Sequence, residues 1–389
     1  MLVAAELAAL FVGATLPSPL YPLYAAKFHF GGVTLTLIYA AYVVGSVLAL
    51  MIGGRLSDQI GRRRAMLPAL VLALGSALVF LLADNTAWLF PARILSGLAT
   101  GLGSGVATAW LAELGARDGK SNAAMLATAG NLLGTAIGPL MAGVLADVAP
   151  WPLRLSYLVY LVVLAAGLLT LWAALETVRR PTTRLSELKL QPRFGVPPQI
   201  LRAFLPPAIT AFVTFALIGF YAALIPNLLR ADLHRLSPAV AGEVICGLFV
   251  VATVVAVLSR TLAARTAMLW GLGLLLPSVG LLVAAQIAAS MPVLLAATVF
   301  AGAAGAFGYR GSLQVVNGIA PAQQRGEVVS TYLIAVYLGN SVPIVGVGLL
   351  AALTAPLTAH AVFAAVIAAL AVAALLSEWS GLGSAQPAE

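Results

Sequence analysis

Twelve long apolar stretches fill most of this chain, and no water-soluble fold of its size has an interior large enough to hide them. They run over residues 3 to 24, 34 to 54, 65 to 83, 87 to 112, 122 to 148, 153 to 175, 203 to 229, 238 to 259, 267 to 288, 291 to 315, 328 to 353 and 357 to 376. A helix needs roughly 20 apolar residues to cross a hydrocarbon core. Hydrophobic residues make up 61% of the chain and charged residues 9%, against about 25% charged in a soluble domain. Lipid offers no hydrogen-bond partner, so a spanning segment must satisfy its own backbone as a helix or join a closed barrel. These stretches are too long and too evenly apolar for barrel strands. The sequence therefore predicts an all-α membrane protein of twelve transmembrane helices.

The first stretch has no basic flank, contains Glu6 and is longer than a signal-peptide core, so it reads as a retained span. It begins so near Met1 that a segment upstream of it stays an open expectation. Twelve spans put both termini on one side. On that side fall Arg55, Arg62, Arg63, Arg64, Arg117, Lys120, Arg179, Arg180, Arg184, Lys189, Arg193, Arg202, Arg260, Arg265 and Arg325, and on the other only Lys27, Arg154, Arg230 and Arg235. The positive-inside rule then predicts cytoplasmic termini. Topology and contact with anionic lipid account for the net charge of +8 without a nucleic-acid partner. Arginine far outnumbers lysine and alanine, glycine and proline abound, which points to a GC-rich bacterial genome and the inner membrane.

Enzyme chemistry is poorly represented. Cys246 is the sole cysteine and lies inside the eighth stretch, which suits a small apolar filler. His29, His234 and His360 lack metal-ligand spacing, and neither a nucleophile elbow nor a phosphate-binding glycine loop is present. No enzyme, metal or cofactor is expected.

The organisation is bilobal. Residues 1–175 carry six stretches, 176–202 form a polar, basic, proline-containing cytoplasmic linker read as a solvated tether, 203–376 carry six more, and 377–389 form a tail. The halves resemble diverged copies. Gly54 to Met66 after the second stretch corresponds to Ser259 to Met268 after the eighth. Glu113 to Arg117 corresponds to Ala320 to Glu327, and Gly134, Gly138 and Pro139 in the fifth stretch correspond to Gly339, Pro343, Gly346 and Gly348 in the eleventh. Paired glycine and proline interruptions in two halves are the mark of a transporter built from repeats, with its substrate between them.

These residues resemble the major facilitator superfamily along essentially the whole chain. The family's loop pattern G-x-L-a-D-r-x-G-R-[KR]-[KR] is matched by Gly54, Leu56, Asp58, Gly61, Arg62 and Arg63, with Ser57 and Gln59 at tolerant positions. Its fourth-span pattern, arginine with glycine four residues on, is met by Arg93 and Gly97. Its fifth-span pattern G-x-x-x-G-P-x-x-G-G is met by Gly134, Gly138, Pro139 and Gly143, with Ala142 in place of the first glycine of the last pair. The resemblance implies two pseudo-symmetric six-helix bundles and, from the fifth-span pattern, an antiporter of the proton-driven drug-export type. It also implies a gating latch in which Asp58 meets the start of the eleventh span and Arg62 reaches Glu113. The alternative is that the loop arginines only set topology and bind lipid.

Charges inside spans are expensive, about 2.5 to 3.5 kcal/mol for a central arginine, so Arg93 is expected to face the bundle interior or a wet cavity. Ser96, Thr100 and Ser104 share its helix face. Further polar stripes contain Tyr42, Asn131, Tyr221 and Asn340. Arg93 with these residues is the expected coupling or substrate path; the alternative for each small polar residue is interhelical hydrogen bonding. A proton-coupled carrier also needs a titratable acid. Glu6, near the start of the first stretch, is the candidate, either with Arg93 as partner or simply snorkelling to water.

The expected function is alternating-access secondary transport by a monomer, exporting a small lipophilic compound against protons and driven by their gradient. Few charges and several tyrosines on the path disfavour strongly ionic substrates. A sugar or metabolite permease on the same fold stays open, as does, more remotely, a membrane sensor or enzyme.

Overall fold

A computed structural model describes residues 1–53, 56–117, 123–178 and 194–379. Gly54, most of the linker and the end of the tail lie outside these. The described residues contain helices and no strands. In chain order the helices are α1 (Leu2–Thr15), α2 (Tyr21–Phe28), α3 (Gly32–Gly53), α4 (Leu56–Ile60), α5 (Arg62–Leu82), α6 (Leu89–Arg117), α7 (Ala123–Val148), α8 (Leu155–Leu171), α9 (Leu201–Ala223), α10 (Ile225–Ala231), α11 (Pro238–Leu258), α12 (Ala264–Ile287), α13 (Met291–Ile319), α14 (Arg325–Leu353) and α15 (Pro356–Trp379).

Among the described residues, eleven helical segments are long and apolar enough to cross a membrane, and Leu155–Leu171 is a shorter apolar helix of 17 residues. The sixth stretch is cut short because residues 172 to 174 turn, and Leu175 to Val178 continue as non-helical chain. The long helices are apolar all round, the pattern of membrane spans rather than amphipathic surface helices. On α11, for example, Val250, Val254 and Val257 repeat at helical spacing and are exposed to where lipid would lie. Among the described residues, Pro68, Pro139, Pro206, Pro207, Pro277 and Pro343 sit inside helices beyond the first turn. Such breaks are tolerated in spans because neighbouring groups re-satisfy the freed carbonyls.

The chain forms two compact units: Met1–Gly31 with Leu37–Pro192 and Ser237–Cys246, and Gly32–Thr36 with Arg193–Leu236 and Gly247–Glu389. Corresponding features recur within each. The run Pro17-Ser18-Pro19-Leu20-Tyr21-Pro22 interrupts the first span with a 3-10 turn between α1 and α2, and Leu224 breaks the seventh between α9 and α10. Both broken spans are followed by a left-handed histidine, His29 at φ 55° and His234 at φ 53°. In the first unit the Ser76 hydroxyl on α5 donates to Ala92 O on α6 at 2.8 Å, and in the second Ser278 on α12 donates to Ala297 O on α13 at 3.2 Å. Trp110, Tyr21, Tyr24, Tyr157 and Leu7 are among the most deeply buried side chains of the first unit. Phe204, Ala211, Val316, Val328 and Tyr332 form a core cluster in the second.

Candidate functional site

Three groups of residues in the first unit carry the chemistry. The first surrounds the glycine-arginine loop. Gly61 stands at φ 98° immediately before α5, a conformation that L side chains rarely adopt, and a Cβ there would lie 3.0 Å from the Glu176 carboxylate. Only glycine lets that carboxylate approach. Glu176 accepts from the Arg62 and Arg63 amides at 3.0 Å each, and also from the amides of Thr177 at 3.0 Å and Val178 at 3.1 Å. It therefore satisfies two amides that the first turn of α5 leaves without helical partners. Burial pushes the Glu176 carboxyl up, but these donors outweigh it and hold the group below the usual carboxylate range.

The Arg62 side chain turns the other way. Nε donates to Glu113 Oε2 at 3.2 Å and Nη2 to Oε1 at 2.5 Å, a fork that lysine cannot reproduce, while Nη1 donates to Ser57 Oγ at 2.5 Å. Thr177 Oγ1 also donates to Glu113. Arg63 reaches the Ala174 carbonyl and lies over the Trp172 ring, 5.7 Å from its centroid. The Trp110 indole donates to Leu175 O at 2.8 Å. Sequence reading anticipated the pairing of Arg62 and Glu113 and missed Glu176, which it assigned to a tether with no site of its own. The missed signal was an acid directly after a span, one turn beyond a tryptophan. Asp58 lies in α4, but its side chain falls outside the described residues, as does Gly54.

The second group surrounds Arg93. Gly45 and Gly97 set α3 and α6 in backbone contact, since a Cβ on either would strike the other helix's main chain. That crossing puts the Arg93 guanidinium over the Tyr42 ring at 4.7 Å and the Tyr39 ring at 5.5 Å, within cation–π range. Nη1 donates to Ala14 O at 2.7 Å. Arg93 is 2% exposed, and its Nε has no hydrogen-bond partner among the described residues. The expected partner Glu6 is absent from this cluster's bonds. Nor does Glu6 snorkel: it is 2% exposed, and both carboxyl oxygens lack a hydrogen-bond partner among the described residues. Its burial follows from packing, because α1 packs against α6, α7 and α8 within its unit.

The third group is the glycine face of α7. Gly130, Gly134 and Gly138 recur every four residues and meet α1 at the carbonyls of Ala4, Ala8 and Val12, with Thr15 Oγ1 donating to Thr135 O at 3.1 Å. Gly143 meets the Pro238 backbone, and Gly242 reciprocally meets the Pro139 carbonyl. These glycines thus form a smooth track for a neighbouring helix.

The remaining predicted path residues lie on α7, α9 and α14. Half-buried Asn131 lies one turn from Thr135, whose hydroxyl donates to Asn131 O at 2.7 Å. Tyr221 is wholly buried in the second unit and accepts from Thr298 at 3.3 Å. Asn340 backs against Gly219 where α14 crosses α9. Arg310 on α13 donates to the Ser259 carbonyl, just past the end of α11, and to the Leu262 carbonyl, the latter at 2.6 Å.

The Major Facilitator Superfamily profile matches residues 7–342. The chain is 26% identical over 136 residues to multidrug resistance protein 2 of Bacillus subtilis, covering 35% of this chain and 34% of that protein. It is 26% identical over 139 residues to the quinolone resistance protein NorA of Staphylococcus aureus, covering 35% and 36%. It is also 35% identical over 77 residues to the arabinose-proton symporter of B. subtilis, covering 20% and 17%. The chain thus matches about a third or less of the length of these curated relatives. Among solved structures, the peptide transporter POT in complex with sulfate superposes with a TM-score of 0.77 at 16% identity, covering 98% of this chain and 94% of that one. The xylose transporter XylE from E. coli superposes with a TM-score of 0.72 at 15% identity, covering 98% and 96%. These likenesses show the fold. Fold and profile together place the protein in the Major Facilitator Superfamily, as a transporter rather than an enzyme.

Proposed function

We propose that this transporter exports small lipophilic compounds from the cytoplasm in exchange for protons, by alternating access in a bacterial inner membrane with both termini in the cytoplasm. The observation that carries this reading is Glu6, a carboxyl buried in the first unit with no hydrogen-bond partner among the described residues. An unpaired carboxylate is costly away from water. Glu6 therefore carries its proton while enclosed and exchanges it when water reaches it. Arg93, lying over the Tyr39 and Tyr42 rings, provides the fixed positive charge that biases this exchange. The Arg62–Glu113–Glu176 cluster locks the loop end of the first unit in one state. The glycine track on α7 lets α1 shift during the exchange. Local similarity to two resistance proteins supports a lipophilic export substrate; the short match to an arabinose-proton symporter supports proton coupling but favours uptake of a sugar.

Purified protein in proteoliposomes tests the reading. An imposed proton gradient is expected to drive accumulation of a lipophilic aromatic dye on the acidic side, and a protonophore is expected to abolish it. If a pentose instead moves with the proton gradient and the dye does not move, the symporter reading replaces this one.

A further inference from the structure

Between α1, α5, α6 and α8 lies a cavity of about 10 Å³ lined by Leu10, Gly13, Ala73, Ser76, Ser96, Ala99 and Tyr160. This is about one water-sized sphere, and a water needs two to four polar partners. The wall carries three hydroxyls, those of Ser96, of Ser76, which donates to Ala92 O, and of Tyr160, which bonds to the Gly13 backbone; the oxygens of Ser76 and Tyr160 can still accept from a water. Its position along the helices is informative. On α6, Ser96 is three residues from Arg93, whose guanidinium bonds to Ala14 O, the residue after Gly13. On α1, Leu10 and Gly13 lie four and seven residues beyond Glu6 and share its face. Leu10 itself fills the space beside Gly103, where an added Cβ would strike it. From one end of the unit to the other the order is therefore Arg93, the hydroxyl-lined cavity, Leu10 with Gly103, and Glu6.

We infer that this cavity holds the water that delivers protons to Glu6, with Tyr160 and Ser96 orienting it and Leu10 acting as the barrier that separates it from the carboxyl. This deepens the reading of Glu6 as proton carrier and rests on it. In the transfer step the water O–H bond breaks as a new O–H bond forms on a Glu6 carboxylate oxygen. The water is made whole by a proton from the next water or hydroxyl toward Arg93. No redox partner is involved. The step requires Leu10 to rotate, because its side chain stands between the cavity and Glu6, four residues or about 6 Å of rise away on α1. At rest the side chain of Leu10 keeps the wire broken and prevents proton leak.

Infrared difference spectroscopy of the full protein in lipid tests this without a transported compound, through hydrogen–deuterium exchange at the Glu6 carboxyl. Glu6→Gln identifies the band by removing it. Tyr160→Phe, which keeps the ring, and Ser96→Ala are each expected to slow exchange at least about tenfold. Leu10→Ala is expected to speed exchange and to raise proton leak into pyranine-loaded vesicles. Unchanged exchange in both hydroxyl variants, with the Glu6 band present, overturns the relay and leaves Glu6 as carrier. A band that survives Glu6→Gln overturns the carrier reading itself.

Discussion

The Glu176 carboxylate accepts from the Arg62 amide at 3.0 Å and so joins the chain just after the sixth span to the first turn of α5. The same residue binds the Arg63 amide. A group at the start of the linker is therefore a structural part of the glycine-arginine loop.

Replacing Glu176 by glutamine removes a charged cap and is expected to lower stability by about 1 kcal/mol, read as a drop in Tm in detergent. The group's folded pKa lies below its unfolded value. Its contribution is therefore present above the ordinary carboxylate range and disappears as pH falls through the folded value. The Tm gap between native protein and Glu176→Gln is expected to be widest near neutral pH and to close in acid. A gap that widens on acidification contradicts this assignment.

Arg62→Lys keeps the charge but loses the fork on Glu113. Because the Glu113 side chain is 38% exposed, water can recover part of the loss, and a cost of about 1 kcal/mol is expected. A double-mutant cycle with Glu113→Gln should show a coupling of similar size. Additive effects would mean that the pair contributes nothing beyond its separate members.

Gly134→Ala and Gly167→Ala make a matched contrast. A Cβ at Gly134 meets the Ala8 main chain, whereas at Gly167 nothing lies within 4 Å. Helix propensity alone favours alanine by about 1 kcal/mol. The Gly167 variant is therefore expected to be neutral or stabilised, and the Gly134 variant to lose both thermal stability and transport rate.

Much of the architecture was legible because membrane spans declare themselves by length and apolarity, and because a glycine before a run of arginines marks a positive-φ turn such as that at Gly61. Glu176 was not legible. Its partners on α5 are contiguous with one another but more than a hundred residues away, and a polar acid after a span reads equally well as solvated chain. Glu6 was misjudged for a related reason. Nearness to the start of an apolar stretch suggests a route to water, yet the helices packed around α1 close that route. Tyr221 was equally hard to place, since a tyrosine in a polar stripe can line a path or, as its contact with Thr298 shows, find a partner inside its own unit.

The most direct test compares native protein with Glu6→Gln in the same proteoliposomes, measuring both gradient-driven accumulation and gradient-free counterflow of a lipophilic dye. The account predicts that the variant keeps counterflow, because the helices still alternate, and loses accumulation against the proton gradient. Native-level gradient-driven accumulation by Glu6→Gln would contradict it.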